Sequence, residues 1–322
     1  MRVLFVCSGR QGGANPIIKN QGESLRRVGV ELEYYVVYGG GIKGYLKNIK
    51  PLRKQIKEGH YDVVHAHYAF SAYLVNLATI GLCVPVVVSL MGSDIWTHSW
   101  YPLMVRMVAN RWNAIIVKSV EMKDRVGISR ANVVPNGVNM DIFNEQNKLD
   151  CQERLKWSSV KQHVLFPANP AVARKNWPLA ENAVTLLNLS GKYTIDLHPM
   201  VGVKNEDTPI LYNAADVVIL PSFYEGSANA VKEAMACNAP VVTTDMGDCR
   251  ERMEGVKGCY VANSFEVEEF ADLLGKALML GSKSNGRERL LVDGIADWQI
   301  AERLIDIYKK SMHGMKSNQV KL

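Results

Sequence analysis

Two Rossmann-like domains of the α/β class, each built on a parallel sheet, are predicted by three features of this sequence. Short apolar runs of strand length alternate with helix-like segments along most of the chain. The runs are apolar at successive positions, as in strands buried on both faces rather than one. The length of 322 residues also exceeds what a single hydrophobic core ordinarily encloses.

In chain order, strands are expected at 3–7, 31–38, 63–67, 85–90 and 114–118, with helices at 15–28, 69–80 and 102–112 and a basic helical stretch after the second strand. A second series runs through strands at 163–167, 194–197, 215–220 and 241–244 and helices at 176–188, 229–237 and 267–280. The polar segment 144–160 separates the two series, so the domains are expected at 1–150 and 158–295. Beyond them Trp298, Ala301, Leu304, Ile305 and Tyr308 recur at helical spacing after Asp297, an N-cap residue type. Periodicity alone reads this as a packing helix of the second domain.

Composition narrows the class. With 48% apolar residues and no low-complexity run, the chain is expected to be globular up to a polar tail after Ser311. The apolar start is too short for a signal peptide, and no run approaches the ~20 residues of a membrane span, so a cytoplasmic protein is expected. Cys7, Cys83, Cys151, Cys237, Cys249 and Cys259 are scattered, which fits free thiols in a reducing compartment. No His/Cys/Asp grouping has metal-ligand spacing, and neither a metal nor a cofactor is expected. The net charge of +6 is uneven: residues 1–150 carry 18 Lys+Arg against 11 Asp+Glu, the remainder 20 against 21. That asymmetry points to an anionic partner of the first domain. No nucleic-acid recognition motif accompanies it, which favours a membrane surface.

The chemistry concentrates in Glu225-Gly-Ser-Ala-Asn-Ala-Val-Lys-Glu233, between an apolar strand and a helix that stops before Pro240. Ligands of open α/β sheets gather at that end of the strands, where a helix N-terminus presents free N–H groups to anions. A helical rise of ~1.5 Å per residue separates the two carboxylates by about 12 Å. Glycosidase acid/base pairs need about 5–9.5 Å. The pair is therefore expected to grip different parts of one long ligand. The competing reading, surface glutamates on an ordinary helix, is disfavoured by the apolar strand feeding a Gly-Ser turn.

With its flanks Ala215-Asp216, Pro221-Ser222, Ala234-Met-Ala236 and Pro240-Val-Val242, the motif resembles the donor site of the family 4 retaining glycosyltransferases of GT-B fold. Bacterial enzymes that build cell-surface polysaccharides are the nearest likeness. The resemblance implies two Rossmann-like domains facing an interdomain cleft, with the last helix, 296–314, crossing back to the first domain. It implies hexosyl transfer from a nucleotide diphosphate donor, a UDP-sugar, to a polysaccharide or lipid-linked acceptor, with retention by front-face departure and attack. Glu225 would face the sugar and Glu233 the ribose hydroxyls. The absence of any Asp-x-Asp agrees with a metal-independent reaction.

A leaving diphosphate needs fixed positive charge and N–H dipoles. Arg174 and Lys175 supply the charge, and Gly226, Ser227 and Asn229 the donor-side contacts. Relatives place an Arg directly after this strand and a Lys a few residues on; Lys175 matches the Lys, whereas Asn169 holds the Arg position and Arg174 takes its role. In the first domain Gly12-Gly13 allows close backbone approach to the donor, without the G-x-G-x-x-G of a dehydrogenase. Ser89-Leu-Met-Gly-Ser-Asp94 stands where relatives carry His-Gly-x-Asp, with Met91 in place of the His and Asp94 as an acceptor-side candidate. On the strand at 63–67, His65 reads as structural and His67 as cleft-facing. Pro135-Asn-Gly-Val-Asn139 resembles the family's Pro-Asn-Gly-Val-Asp, with Asn139 replacing the Asp. Between Ser190 and Ala215 the chain lacks a strand, helix and strand usual in relatives, which leaves the base open.

Lys43, Lys47, Lys50, Lys54 and Lys57 are spaced to share one helix face, opposite Ile42, Tyr45, Leu46, Ile49, Leu52 and Ile56, with a kink or new start required at Pro51. A solvated lysine face is one reading. Adsorption to anionic lipid is the other, helped by Trp96, Trp100, Tyr101 and Trp112. Two rival functions stay open: a nucleotide-sugar epimerase or hydrolase of the same fold, and a catalytically silent partner subunit that binds donor.

Overall fold

The computed structural model describes residues 1–10, 13–38, 41–204, 206–281 and 283–319. The chain packs as two units, Met1–Gly137 with Asp297–Leu322, and Val138–Ala296.

Among the described residues the first unit holds β1 (Arg2–Arg10), β2 (Gly13–Ala14), β3 (Glu31–Val37), β4 (Val63–His67), β5 (Val86–Ser89), β6 (Ala114–Val117) and β7 (Asn132–Val133). Six of them run parallel in the order β3-β1-β4-β5-β6-β7, while β2 turns back against the end of β1. Both faces are covered, and β1 shows how. Leu4 and Val6 pack with Leu52, Ile56 and Val75 on one side; Val3, Phe5 and Cys7 pack with Ile18, Leu25 and Leu304 on the other. All five β1 residues have no exposed surface, which is why the strand reads as a continuous apolar run.

The second unit repeats the logic with β8 (Gln162–Phe166), β9 (Ile195–Pro199), β10 (Val217–Leu220), β11 (Val241–Thr244) and β12 (Cys259–Ala262), all parallel in the order β12-β11-β10-β8-β9. Val218 and Leu220 enter a core with Val231 and Met235, while Val217 and Ile219 enter another with Leu179, Ala183 and Phe270. In each sheet the first strand has its successors on opposite sides, so the direction of winding reverses between β1 and β4 and between β8 and β10. Loops at such switch points diverge to opposite faces and leave a crevice at the strand ends.

The units divide at Gly137/Val138, not within 144–160 as composition indicates. Backbone and side-chain groups of that stretch are hydrogen-bonded within the second unit. Gln146 N donates to Asn213 Oδ1 at 2.9 Å, Asn213 Nδ2 donates to the Asn144 carbonyl, and Gln152 Nε2 donates to that of Ala214. Phe143 is buried in the same core. The return crossing falls at Ala296/Asp297, and the helix Asp297–Gln319 packs in the first unit through Ile300, Ala301, Leu304 and Tyr308. Gly137 permits this, since a Cβ there would lie 2.6 Å from the Cα of Asp297.

The basic stretch is two helices, Gly41–Lys47 and Ile49–Gly59, broken at Asn48. Asn48 bridges the break, its Nδ2 donating to the Gly44 carbonyl at 2.7 Å and its Oδ1 accepting from Tyr35. Pro51 falls in the first turn of the second helix, where no N–H is needed. Between Ser190 and Ala215 the chain forms β9 and the helix Thr208–Ala214 only, which leaves β9 at the sheet edge.

Candidate functional site

The second sheet's switch point is framed by the loops after β8 and β10. After β8, Asn169 bends the chain, its Oδ1 accepting from Ala171 N and its carbonyl from Val172 N. A 3-10 turn, Ala173–Lys175, follows, and Asn176 at φ 55° starts the helix Trp177–Leu189. Asn169 thus shapes the loop that presents Arg174 and Lys175. After β10, the Thr243 and Thr244 hydroxyls donate to the carbonyls of Leu220 and Ser222 at 2.8 and 2.6 Å, and Phe223 N donates to the Arg174 carbonyl at 2.9 Å. The Phe223 amide thus ties the two loops together by a backbone bond, and the β11 hydroxyls anchor the loop after β10.

Their side chains meet at Glu225. Arg174 Nη1 and Lys175 Nζ both donate to Glu225 Oε1, the ammonium at 2.5 Å, and Ser222 Oγ lies 3.3 Å from the same oxygen. Lys175 and Glu225 are only 15% and 14% exposed, so this is a partly desolvated cluster and not a surface pair. Glu233 Oε2 accepts from Tyr212 at 2.9 Å. Burial raises the Glu233 pKa; the Tyr212 hydrogen bond and the charges of Lys232 and Lys175 oppose the rise. The Lys175 charge thus favours both carboxylates, by a hydrogen bond at Glu225 and only through space at Glu233. The helix begins only at Asn229, so the separation of about 12 Å expected from helical rise does not apply between Glu225 and Glu233.

A supporting layer was not legible as a motif. Lys232, 1% exposed, donates to Ser227 Oγ at 2.9 Å, and Ser227 donates to Asp248 Oδ2 at 2.9 Å. Asp248 also pairs with Arg252, which reaches Asp293 at 2.7 Å. Burial lowers the Lys232 pKa while Asp248 opposes that, and the chain of partners fixes the Gly226-Ser227 turn. Gly226 is buried and Asn229 partly exposed at the helix start. Gly247, at φ 59°, packs on the same turn: a Cβ would lie 2.9 Å from the carbonyl oxygens of both Glu225 and Gly226.

In the first unit, a cavity of about 880 Å³ is lined by Gly13, Asn15, Lys19, Tyr68, Asp94 and Tyr101, among others. Gly12 lies outside the described residues; Gly13 has φ 104° in the strand that turns back on Gly9. Asp94 is buried and spends both oxygens on backbone, accepting from Met91 N, Gly92 N and Ala69 N at 2.9, 2.9 and 3.1 Å. It shapes the cavity wall, and Met91 sits in the loop it organises. His65 is a satisfied structural histidine, bonded to Tyr308 at 2.6 Å and Ser89 at 2.8 Å. His67 has no exposed surface; it stacks on His65 with centroids 4.3 Å apart and does not line the cavity. The next residue, Tyr68, takes φ 71° and ψ 149°, a conformation costly for any side-chain-bearing residue, directly on the cavity wall. In the second unit, Asn139 caps a turn by accepting from the amides of Asp141 and Ile142. Contrary to the expectation from spacing, His163, Asp196 and His198 gather in one cluster. They lie on neighbouring strands, a proximity that sequence spacing does not express.

Comparison with known proteins supplies the family. The family described as Glycosyltransferase Family 4 matches residues 2–142, and that described as Glycosyl transferases group 1 matches residues 177–279. A D-inositol 3-phosphate glycosyltransferase of Xylanimonas cellulosilytica is 25% identical over 94% of this chain and 93% of its own. The UDP-Gal:alpha-D-GlcNAc-diphosphoundecaprenol alpha-1,3-galactosyltransferase of Escherichia coli is 22% identical over 82% and 79%. The structure of Anabaena HepE in complex with UDP superposes with a TM-score of 0.74 at 16% identity, covering 95% of this chain and 99% of that one.

Gly247→Ala tests how tightly the motif turn is held. A left-handed conformation alone costs an L-residue about 1–2 kcal/mol. Gly255, at φ 72° with nothing within 4 Å of a Cβ, provides the control. In urea unfolding Gly247→Ala is expected to destabilise the protein beyond Gly255→Ala by the cost of displacing two carbonyls; equal losses would show that the turn yields freely.

Proposed function

The chain belongs to the GT-B glycosyltransferases that join a family 4 domain to a group 1 domain, and on that premise we propose a retaining, metal-independent transfer from a nucleotide diphosphate donor, a UDP-sugar. The observation that carries the reading is the convergence of Arg174 and Lys175 on Glu225 Oε1 in a partly buried cluster. A diphosphate entering this site competes with Glu225 for both cations. Exchange of counter-ion places the phosphates on Arg174 and Lys175 and releases the Glu225 carboxylate towards the sugar, where it opposes the developing oxocarbenium charge. As the glycosidic bond to phosphate breaks, the departing oxygen takes the proton of the acceptor hydroxyl, which attacks from the same face. Glu233 in its ionised form accepts hydrogen bonds from the ribose hydroxyls. The relative of Escherichia coli is named for a diphosphoundecaprenol acceptor and the Anabaena structure holds UDP, which supports a UDP-sugar donor and a polysaccharide or lipid-linked acceptor here.

Such an acceptor lies at the inner face of the cell membrane, and the first unit has a surface suited to it. Lys43, Lys47, Lys50, Lys54 and Lys57 are all exposed on the two basic helices. Tyr45 and Tyr101 both lie 6.0 Å from Phe70, which sets these helices beside Tyr101–Val108. There Trp100, Leu103, Met104 and Met107 are exposed, Met107 by 76%. Leu46, expected to face inwards, is 52% exposed and joins that surface. Ile42's side chain lies outside the described residues. Trp112 instead is buried and bonded to Asn76, and Trp96 packs under Arg125. No helix among the described residues is long and apolar enough to cross a membrane, so contact would be peripheral.

Glu225→Gln is expected to lower kcat by about 100-fold or more without weakening UDP binding, because it removes the charge that acts on the transition state together with the carboxylate that competes with the diphosphate for Arg174 and Lys175. Equal losses in both would give Glu225 a binding role only, and turnover of donor without acceptor would indicate a hydrolase.

Glu233 should impose a pH dependence on UDP binding. Burial lifts its pKa above the ~4.3 of a free glutamate, so affinity is full above the raised pKa and falls as pH drops through it. Glu233→Gln should bind more weakly by about 1.5–3 kcal/mol at neutral pH and lack that step, although it shares the nucleotide's own titration. Calorimetric profiles that coincide would remove Glu233 from the ribose.

Lys47→Glu, Lys50→Glu and Lys54→Glu together should reduce binding to anionic vesicles by a factor on the order of 100, at about 1 kcal/mol per lysine before screening, and less at high salt. Donor binding should persist. Wild-type cosedimentation by the triple variant would return these lysines to a solvated face.

A further inference from the structure

We infer that His163, Asp196 and His198 form a binding site for a divalent transition-metal ion of the zinc class at the edge of the second unit's sheet. Asp196 and His198 alternate on edge strand β9 and so share a face, while parallel pairing sets His163 of β8 opposite Asp196. One ligand atom from each side chain lies within 4.8 Å of the others. His163 Nδ1 and His198 Nε2 are 2.9 Å apart. Two nitrogens on a tetrahedral ion, each bound at about 2.0–2.1 Å, stand roughly 3.3 Å apart, so a shift of a few tenths of an ångström opens the site.

The protonation pattern favours coordination. His163 Nε2 lies 2.7 Å from the Ser158 carbonyl, which can only accept, so the ring proton is on Nε2 and the Nδ1 lone pair points at His198. A backbone carbonyl in this position is the usual outer partner that orients a ligating imidazole. His198 Nε2 then donates to that lone pair. Moving the His198 proton to its own Nδ1 frees Nε2, so both rings coordinate without net proton release. Asp196 is paired with Lys161 at 2.9 Å, but both side chains are about 40% exposed, and such a pair is worth little to give up.

Trp157 closes one side. Its ring stacks on His198 with centroids 3.8 Å apart and an angle of 12°, and lies 4.7 Å from His163. Three protein ligands leave a coordination position for water. Among the described hydrogen bonds none joins this cluster to Arg174, Lys175, Glu225 or Glu233, so the ion would clip β9 to β8 and the Trp157 segment without entering the transfer reaction. Imidazole with carboxylate suits zinc, cobalt or nickel better than magnesium or calcium.

The test uses the full chain carrying Cys83→Ser, which removes the exposed thiol, after treatment with chelator. Zinc titrated by calorimetry should bind at one equivalent, raise the melting temperature and perturb tryptophan fluorescence; cobalt should give a visible d–d band without thiolate charge transfer. His198→Gln and Asp196→Asn should each weaken binding by at least about tenfold, the lower end of what loss of an outer partner alone costs. UDP affinity should not change, which separates this site from the donor reading. Absence of saturable binding, or a wild-type Kd in His198→Gln with a folded circular dichroism spectrum, would overturn the inference and leave the three rings as packing.

Discussion

Burial of the central strands on both faces is the constraint from which the rest of this structure follows. Along Val3–Cys7 of β1 and throughout β10 successive side chains enter one core or the other, so neither stretch has a face left for polar chemistry. Functional groups are displaced to the strand ends. The reversal of winding between β8 and β10 then makes two loops diverge there, and those loops carry Arg174, Lys175 and Glu225. The corresponding reversal between β1 and β4 sets Gly13 and Tyr68 on the wall of the first unit's cavity.

Charge balance is the second organising force. Two cations on one carboxylate oxygen would be costly in a partly buried setting if any partner were removed, since an unpaired desolvated charge remains. Glu225 therefore holds the cationic pair in a single arrangement. Behind it, the sequence of partners from Lys232 through Ser227 and Asp248 to Arg252 and Asp293 alternates in sign. Each member satisfies the next, which lets a lysine with 1% exposure remain in the unit and gives the Gly226-Ser227 turn a single geometry.

Some residues that look catalytic by type act by shaping backbone. Asp94 accepts three amides and Asn169 bends the loop after β8. Their short polar side chains compete well for nearby N–H groups, which suits them to turns. Tyr68 represents the opposite case: nothing in its residue type announces the φ of 71° that it holds.

The fold class, the main alternation of strands and helices and the turn that carries Glu225 were legible in the sequence because each rests on local pattern: apolar runs of strand length, helical periodicity, and a Gly-Ser turn between two glutamates. The two-helix break at Asn48, the division at Gly137 and the burial of His67 were not, since they depend on which distant groups supply hydrogen bonds or cover a ring. A polar stretch such as 144–160 has the composition of a linker whether its amides meet water or Asn213. What the sequence by itself determined is the alternation that builds two doubly covered sheets and the residues that stand at their ends. What only the tertiary structure decided is which of those residues meet: the convergence of Arg174 and Lys175 on Glu225, the bond from Tyr212 to Glu233, and the pairing of β8 with β9 that joins His163 to Asp196 and His198. Strand register and loop bonding set those distances, and neither has a counterpart in spacing along the chain.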